Sequence, residues 1–228
     1  MEWDDIDLLS PADTFPGQGR RPRRLKEDAM RRVRIPQQQR SMEKKQRIMD
    51  AARELFAQKG LSGTNSNEIA GRAGVSIGTF YNYFRNKKTL FLDILEQYLE
   101  NFIAGIYQLQ SDDAIPLKDN IRSHINKAFA AFDLHPAFHR EALVLKFSDR
   151  DVKRLFDDAE QKQLVLISSL LKPYSRPGSG RDLQVAAKVI HSAVENVGHY
   201  VKILNSPMQR DHLVEELTEM IYHYVANL

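Results

Sequence analysis

Three side chains able to bind a metal or carry a proton, His191, Glu195 and His199, recur at intervals of four and so share one face of a helix. Imidazole and carboxylate at this spacing are compatible with zinc. The two histidines lie two turns apart, about 12 Å on a straight helix, so one ion can take at most an adjacent pair. The blander reading, without a metal, is the stronger, and no metal site is expected. His135 and His139 flank Pro136 at a helix start, where His135 caps or is solvated. The absence of cysteine excludes disulfides, thiolate zinc sites and thiol nucleophiles. There is no Gly-rich phosphate loop, no Ser/His/Asp set with a supporting strand and no acid pair in a cleft-like context. Catalysis and a cofactor are therefore not expected, and a metal-assisted hydrolase on His191, Glu195 or His199 is the residual enzymatic reading.

A denser constellation runs from Asn65 to Phe84. Asn65 is an N-cap with Glu68 at the third helical position, and Ser76 is a second N-cap. Two short helices joined by a Gly-containing turn make a helix-turn-helix. Ala70 is small enough for a close crossing, Gly74 permits the turn, and Ile69, Val75 and Phe80 fill the space inside. Ser76, Ile77, Gly78, Thr79, Tyr81, Asn82 and Tyr83 are left outward, a polar and aromatic face suited to a DNA major groove. Lys87 and Lys88 open the next helix, where amides and ammonium groups together suit a phosphate.

The elements that must position these residues are all helical. Ile48, Ala51, Ala52, Leu55 and Phe56 mark one face of a helix starting near Ser41, and Gly60 stops it. Asn86 caps a longer helix to about Gln108, with Leu90, Ile94, Leu95, Tyr98 and Phe102 as its apolar stripe. Pro116 opens a helix over Leu117 to Leu134, and Pro136 one over Ala137 to Phe147. Arg150 to Leu171, stopped by Pro173, carries Val152, Leu155, Phe156, Ala159, Leu166, Ile167 and Leu170 on one side. Tyr174 to Gly180 reads as a loop, and helices follow over Asp182 to Leu204 and from Pro207 to about Ala226. No strand pattern and no internal repeat is present. The fold class is all-α with about nine helices.

Hydrophobic residues make up 42% of the 228-residue chain and charged residues 28%, which excludes wholesale disorder. Residues 1 to 40, broken by Pro11, Pro16, Gly17, Gly19, Pro22 and Pro36, read as a largely disordered arm. Its first thirteen residues carry five acids and no base, whereas Arg20 to Arg47 carry twelve bases and three acids. Residues 1 to 92 hold 18 cationic against 11 acidic side chains, the remainder 15 against 19, so the first part is the partner of a polyanion. No apolar run spans a membrane, and the acidic opening is unlike a secretory signal, so a cytoplasmic protein is expected. The later helices carry Phe102, Ile106, Tyr107, Ile125, Phe129, Phe132, Phe138, Phe147 and Leu164, more large apolar groups than a thin bundle requires. With His124, Glu195 and His199 as polar anchors they suggest a cavity for a hydrophobic or amphipathic small molecule, although for any one aromatic a core role outweighs lining.

At Phe56 to Gly60 and from Ile69 through Leu90 the chain resembles the tetracycline-repressor (TetR) family of bacterial transcription regulators. The run Ile69-Ala70, then Ala73-Gly74-Val75-Ser76, Gly78-Thr79, Tyr81, Tyr83-Phe84, Lys87 and Leu90 carries the likeness, over roughly residues 43 to 95. The resemblance implies a homodimer whose paired heads contact a palindromic operator in double-stranded DNA. It also implies a larger helical domain that binds a small-molecule effector and lowers DNA affinity, as in a repressor. Thr79, Tyr81 and Tyr83 then look like recognition contacts, Asn65 and Ser76 like cap or phosphate residues, and Lys87 like the phosphate lysine. Asn65 departs from the family's usual Thr. The implied organisation is an arm (1 to 40), a helix-turn-helix domain (41 to 88) and an effector and dimerisation domain (89 to 228), whose last two helices form the dimer seam. An effector-independent architectural DNA-binding protein is the alternative.

Overall fold

The computed structural model describes residues 37–107, 115–176, 178, 180–204 and 208–228. Among them are nine α-helices, one 3-10 turn at Lys172–Tyr174 and no strand. The arm expected over residues 1 to 40 lies outside the described residues up to 36. Its last four residues are not irregular, because α1 (Gln37–Gly63) already includes them.

The predicted face of α1 is the buried one: Ile48, Ala51, Ala52, Leu55 and Phe56 are all core. The helix breaks at Gly60, whose φ of 72° is open to glycine but strained for other residues. In α2 (Ser66–Arg72), Asn65 Oδ1 accepts from the Glu68 N–H at 2.9 Å; in α3 (Ile77–Tyr83), Ser76 Oγ accepts from Thr79 N–H at 3.1 Å. Both caps are those read from sequence. Gly74, at φ 65°, makes the turn between them, and Ile69, Ala70 and Phe80 close the space beneath.

Helix α4 (Lys87–Tyr107) is capped by Asn86, whose Oδ1 accepts from Thr89 N–H at 2.8 Å. Its 21 residues span about 30 Å, enough to cross from the head into the following helices. Leu90 to Leu99 pack with α1, while Phe102 and Ile106 continue the same stripe outward. Helices α5 (Leu117–Ala131), α6 (Pro136–Lys146), α7 (Arg150–Leu171), α8 (Leu183–Lys202) and α9 (Arg210–Ala226) complete the bundle. Lys118 with Glu219, Arg122 with Glu215 and Asn126 with Arg210 pair α5 antiparallel to α9. A second core cluster joins α5, α7, α8 and α9.

Several expectations need correction. Helix α5 ends at Ala131 rather than Leu134, and the last turn before Pro136 is irregular, as the residue before a proline disfavours helix. The end of α4 at Gln108 and the opening of α9 at Pro207 fall outside the described residues; α9 is helical from Arg210, with Gln209 as N-cap. Leu166 is exposed, on the solvent side of α7. Phe147, expected in the interior, is 88% exposed because it sits at the C-cap of α6, past the last turn that packs inward. No helix of the described residues is long and apolar enough to cross a membrane.

Candidate DNA-reading helix and internal cavity

Helix α3 has one side inside the head. Phe80 is fully buried, its ring 6.0 Å from Phe84 and 5.3 Å from Tyr81. The opposite side presents Ile77, Gly78, Asn82 and Tyr81, the last 55% exposed, so with Ser76 five of the seven predicted face residues stand open. Thr79 is half-buried, with its Oγ1 2.9 Å from Ser76 Oγ. Tyr83 is less free than its place in the sequence suggests: its hydroxyl pairs with Ser41 Oγ at 2.9 Å and ties α3 to α1.

The lysines of α4 diverge. Lys87 Nζ donates to the carbonyls of Thr64 at 2.6 Å and Ser62 at 3.1 Å, bracing the segment that leads to Asn65. Lys88 turns the other way and lies 2.7 Å from both Asp149 and Asp151. That ammonium holds the Asp149 carboxyl below its ordinary value. Arg47 of α1, which the sequence placed only at the end of the basic run, is exposed and holds its guanidinium beside the Gly74 turn. Its position on the outer side of α1 gives no signal in sequence, because only the fold brings that side next to the turn.

Between α4, α5, α6, α7, α8 and α9 is a cavity of about 390 Å³. Seven of the residues read from sequence line it: Phe102, Ile106, Tyr107, Ile125, Phe132, His124 and Glu195. Besides the exposed Phe147, four do not. Phe138 packs in the head-proximal core, 5.2 Å from Phe91 and 5.9 Å from Tyr98. Phe129 is fully buried against the α9 side, with the Arg210 guanidinium 5.9 Å from its ring. Leu164 belongs to the outer core cluster. His199 stands behind the cavity floor, its Nε2 3.1 Å from His139 Nε2. His191, singled out in sequence for another chemistry, lines it too, and the residues that take the missing places include His139, Phe156 and Lys146. These three are ordinary members of amphipathic helices in sequence, and only the packing of six helices turns them to a common space.

The floor is a chain of hydrogen bonds. Tyr98 Oη lies 2.9 Å from His139 Nδ1, and His139 Nε2 meets His199. Burial drives the Tyr98 hydroxyl well above its ordinary pKa, so it stays protonated. Donation from Tyr98 to Nδ1 leaves the proton of His139 on Nε2, which then donates to His199; the reverse order would strand the buried tyrosine proton. Burial, reinforced by His199 and Lys146, pushes the pKa of His139 down to about 3. Burial likewise lowers His124, His191 and His199, so the histidines are neutral at physiological pH. Among the described residues no group of three His, Cys, Asp or Glu side chains is placed to hold a metal ion.

Comparison with known proteins agrees with both halves of this geometry. Residues 48–94 match the family described as bacterial regulatory proteins, tetR family, and residues 116–224 match the tetracyclin repressor-like C-terminal domain. The HTH-type transcriptional regulator YerO of Bacillus subtilis, whose name marks it as uncharacterized, is 27% identical over 197 residues, covering 82% of this chain and 64% of that protein. The HTH-type transcriptional activator FasR of Mycolicibacterium smegmatis is 31% identical over 90 residues, covering 40% of this chain and 39% of its own. The chain thus spans less than two thirds of the length of either relative. Among solved structures, the fatty acid degradation regulator FadR from Bacillus halodurans superposes with a TM-score of 0.62 at 21% identity, over 78% of this chain and 94% of its own. The relatives are transcriptional regulators and not enzymes.

Proposed function

We infer that this chain, which belongs to the tetR family of bacterial regulatory proteins, works as a homodimeric repressor that leaves a palindromic operator when a small hydrophobic or amphipathic effector enters the cavity. The observation that carries this reading is the pairing of an outward α3 face with a 390 Å³ apolar space reached by the same helix, α4, that packs under the head. An architectural protein with no effector has no use for such a space, which disfavours that alternative. Residues 41 to 88 then form the DNA-binding domain, and 89 to 228 the effector and dimerisation domain.

In this reading Thr79, Tyr81, Asn82 and the backbone at Gly78 meet base edges, with Ile77 supplying apolar contact and Tyr83 held by Ser41 at the groove margin. Asn65 and Ser76 cap their helices beside the phosphates. Lys87 uses two of its three protons on Ser62 and Thr64, so its third is available to a phosphate. The second copy seats on the outer face of α8 and α9, where Val185 (58% exposed), Val189 (50%) and Met220 (50%) stand open alongside Asn196 and Tyr200. A twofold seam there places the heads one helical turn of DNA apart.

The test is operator selection from random DNA followed by binding of two variants. Thr79→Ala should relax preference at one base pair per half-site, at about 1 to 3 kcal/mol, while Lys87→Ala should weaken all sequences alike. Equal losses on selected and random DNA for both variants would defeat this division of roles.

A further inference from the structure

Two buried nitrogens in the cavity wall have no partner among the described residues: His124 Nε2 on α5 and His191 Nδ1 on α8. His191 is only 6% exposed, and its nearest acid, Glu195 Oε2, is 3.8 Å away, beyond a hydrogen bond. An unsatisfied buried polar atom is costly, and two in one cavity call for a common explanation. The rings of Phe132 and His199, at the C-terminal ends of α5 and α8, are 5.2 Å apart. His124 precedes Phe132 by eight residues and His191 precedes His199 by eight, so each histidine stands about two turns back along its own helix from that contact, and both line the same cavity.

The tautomer of His124 is fixed by its other nitrogen. Nδ1 lies 2.9 Å from the carbonyl oxygen of Asn120, which can only accept, so Nδ1 carries the proton and Nε2 offers a bare lone pair. That lone pair needs a donor. A carboxylate only accepts and cannot supply one. Lys146 is the cation of the wall, its ammonium 4.9 Å over the Phe156 ring; Glu160 is paired with Lys188, and Glu195 adds a carboxylate that offsets the Lys146 charge. The remaining lining is mostly aliphatic and aromatic.

We propose that the cavity takes an uncharged, largely apolar molecule bearing a hydroxyl, which donates its proton to His124 Nε2 in the cavity that His191 also lines. This rests on the effector reading and makes it specific: an alcohol or phenol end is selected, and a carboxylate end is rejected.

The experiment titrates the full chain at neutral pH, by isothermal calorimetry, with three probes that share a ten-carbon tail. Decanol donates and accepts, decyl methyl ether only accepts, and decanoate is charged. Decanol should bind about tenfold more tightly than either of the others. His124→Leu should abolish the preference for alcohol over ether while leaving ether affinity within about twofold. Equal affinity for alcohol and ether in the unaltered chain would overturn the proposal and leave an apolar effector cavity standing; tightest binding of decanoate, which has no proton to donate, would overturn it as well. No binding of any probe would overturn the proposal and the cavity reading together. Release of labelled operator DNA is followed in parallel, and decanol bound through His124 without release would sink the effector reading while the hydrogen-bond assignment survives.

Discussion

Glu141 shows how much one side chain of the second half does for the first. Its Oε1 accepts the Leu61 N–H at 2.7 Å, just where α1 breaks at Gly60, so α6 supplies the acceptor that the broken helix lost. Glu141→Ala should cost about 1 to 2 kcal/mol in urea unfolding, and Glu141→Gln, which keeps a carbonyl acceptor, should cost less. His139 sets a pH limit. Its folded pKa, about 3, lies below the ordinary value of 6.5, so the unfolded chain binds the proton first as the solution is acidified. The stability tied to a neutral His139 is complete above about pH 6.5 and is lost progressively as pH falls toward 3, reaching roughly 2 kcal/mol of loss by about pH 5. In His139→Gln the difference in unfolding free energy between neutral and that acidic pH should shrink by about this amount. An unchanged difference would show that the histidine is not held neutral in the fold.

Among the elements, the end of α5 and α8 approach closely where Gly198 faces Phe132. A Cβ added at Gly198 would stand 2.4 Å from a carbon of that ring, which is itself fixed against Phe102 at 5.0 Å. Gly198→Ala should therefore push the two helices apart at the cavity floor, with a loss of about 1 to 3 kcal/mol in thermal or urea unfolding. Gly71→Ala, in the interior of α2 with open space around it, is the matched control and should stabilise by roughly 0.5 to 1 kcal/mol. If both changes cost the same, the close approach at Gly198 is not what holds the floor together.

For the whole molecule the decisive surface is the outer face of α8. Val185, Val189, Asn196 and Tyr200 form one stripe along it, and a charge in its middle would have to be desolvated in a dimer but not in a single chain. Val189→Glu should give a folded monomer by sedimentation, with the helical circular-dichroism signal retained. Operator affinity should fall by at least about tenfold, because one head alone reads one half-site. A dimer that persists with full affinity would place the seam elsewhere.

The helices, their caps and the turn were legible because each depends on residues close in sequence. Asn65, Ser76 and Asn86 bond to amides three residues on, Gly74 needs only its own backbone freedom, and the stripe Leu90, Ile94, Leu95, Tyr98 and Phe102 follows from helical pitch. The outward face of α3 was legible for the same reason. What a side chain touches across helices was not. Periodicity makes Phe138 and Phe102 equally apolar members of inward faces, yet Phe138 is closed in by Phe91 and Tyr98 while Phe102 reaches the cavity. Nothing near His139 in sequence announces that it joins Tyr98 to His199, and nothing near Lys87 announces the carbonyls of Ser62 and Thr64. The sequence by itself determined an all-helical chain with a capped helix-turn-helix, since hydrophobic period and capping are local. Only the tertiary structure decided which inward residues surround open space and which fill the core, because a cavity is what remains when several helices, each satisfied on its own, fail to close on one another.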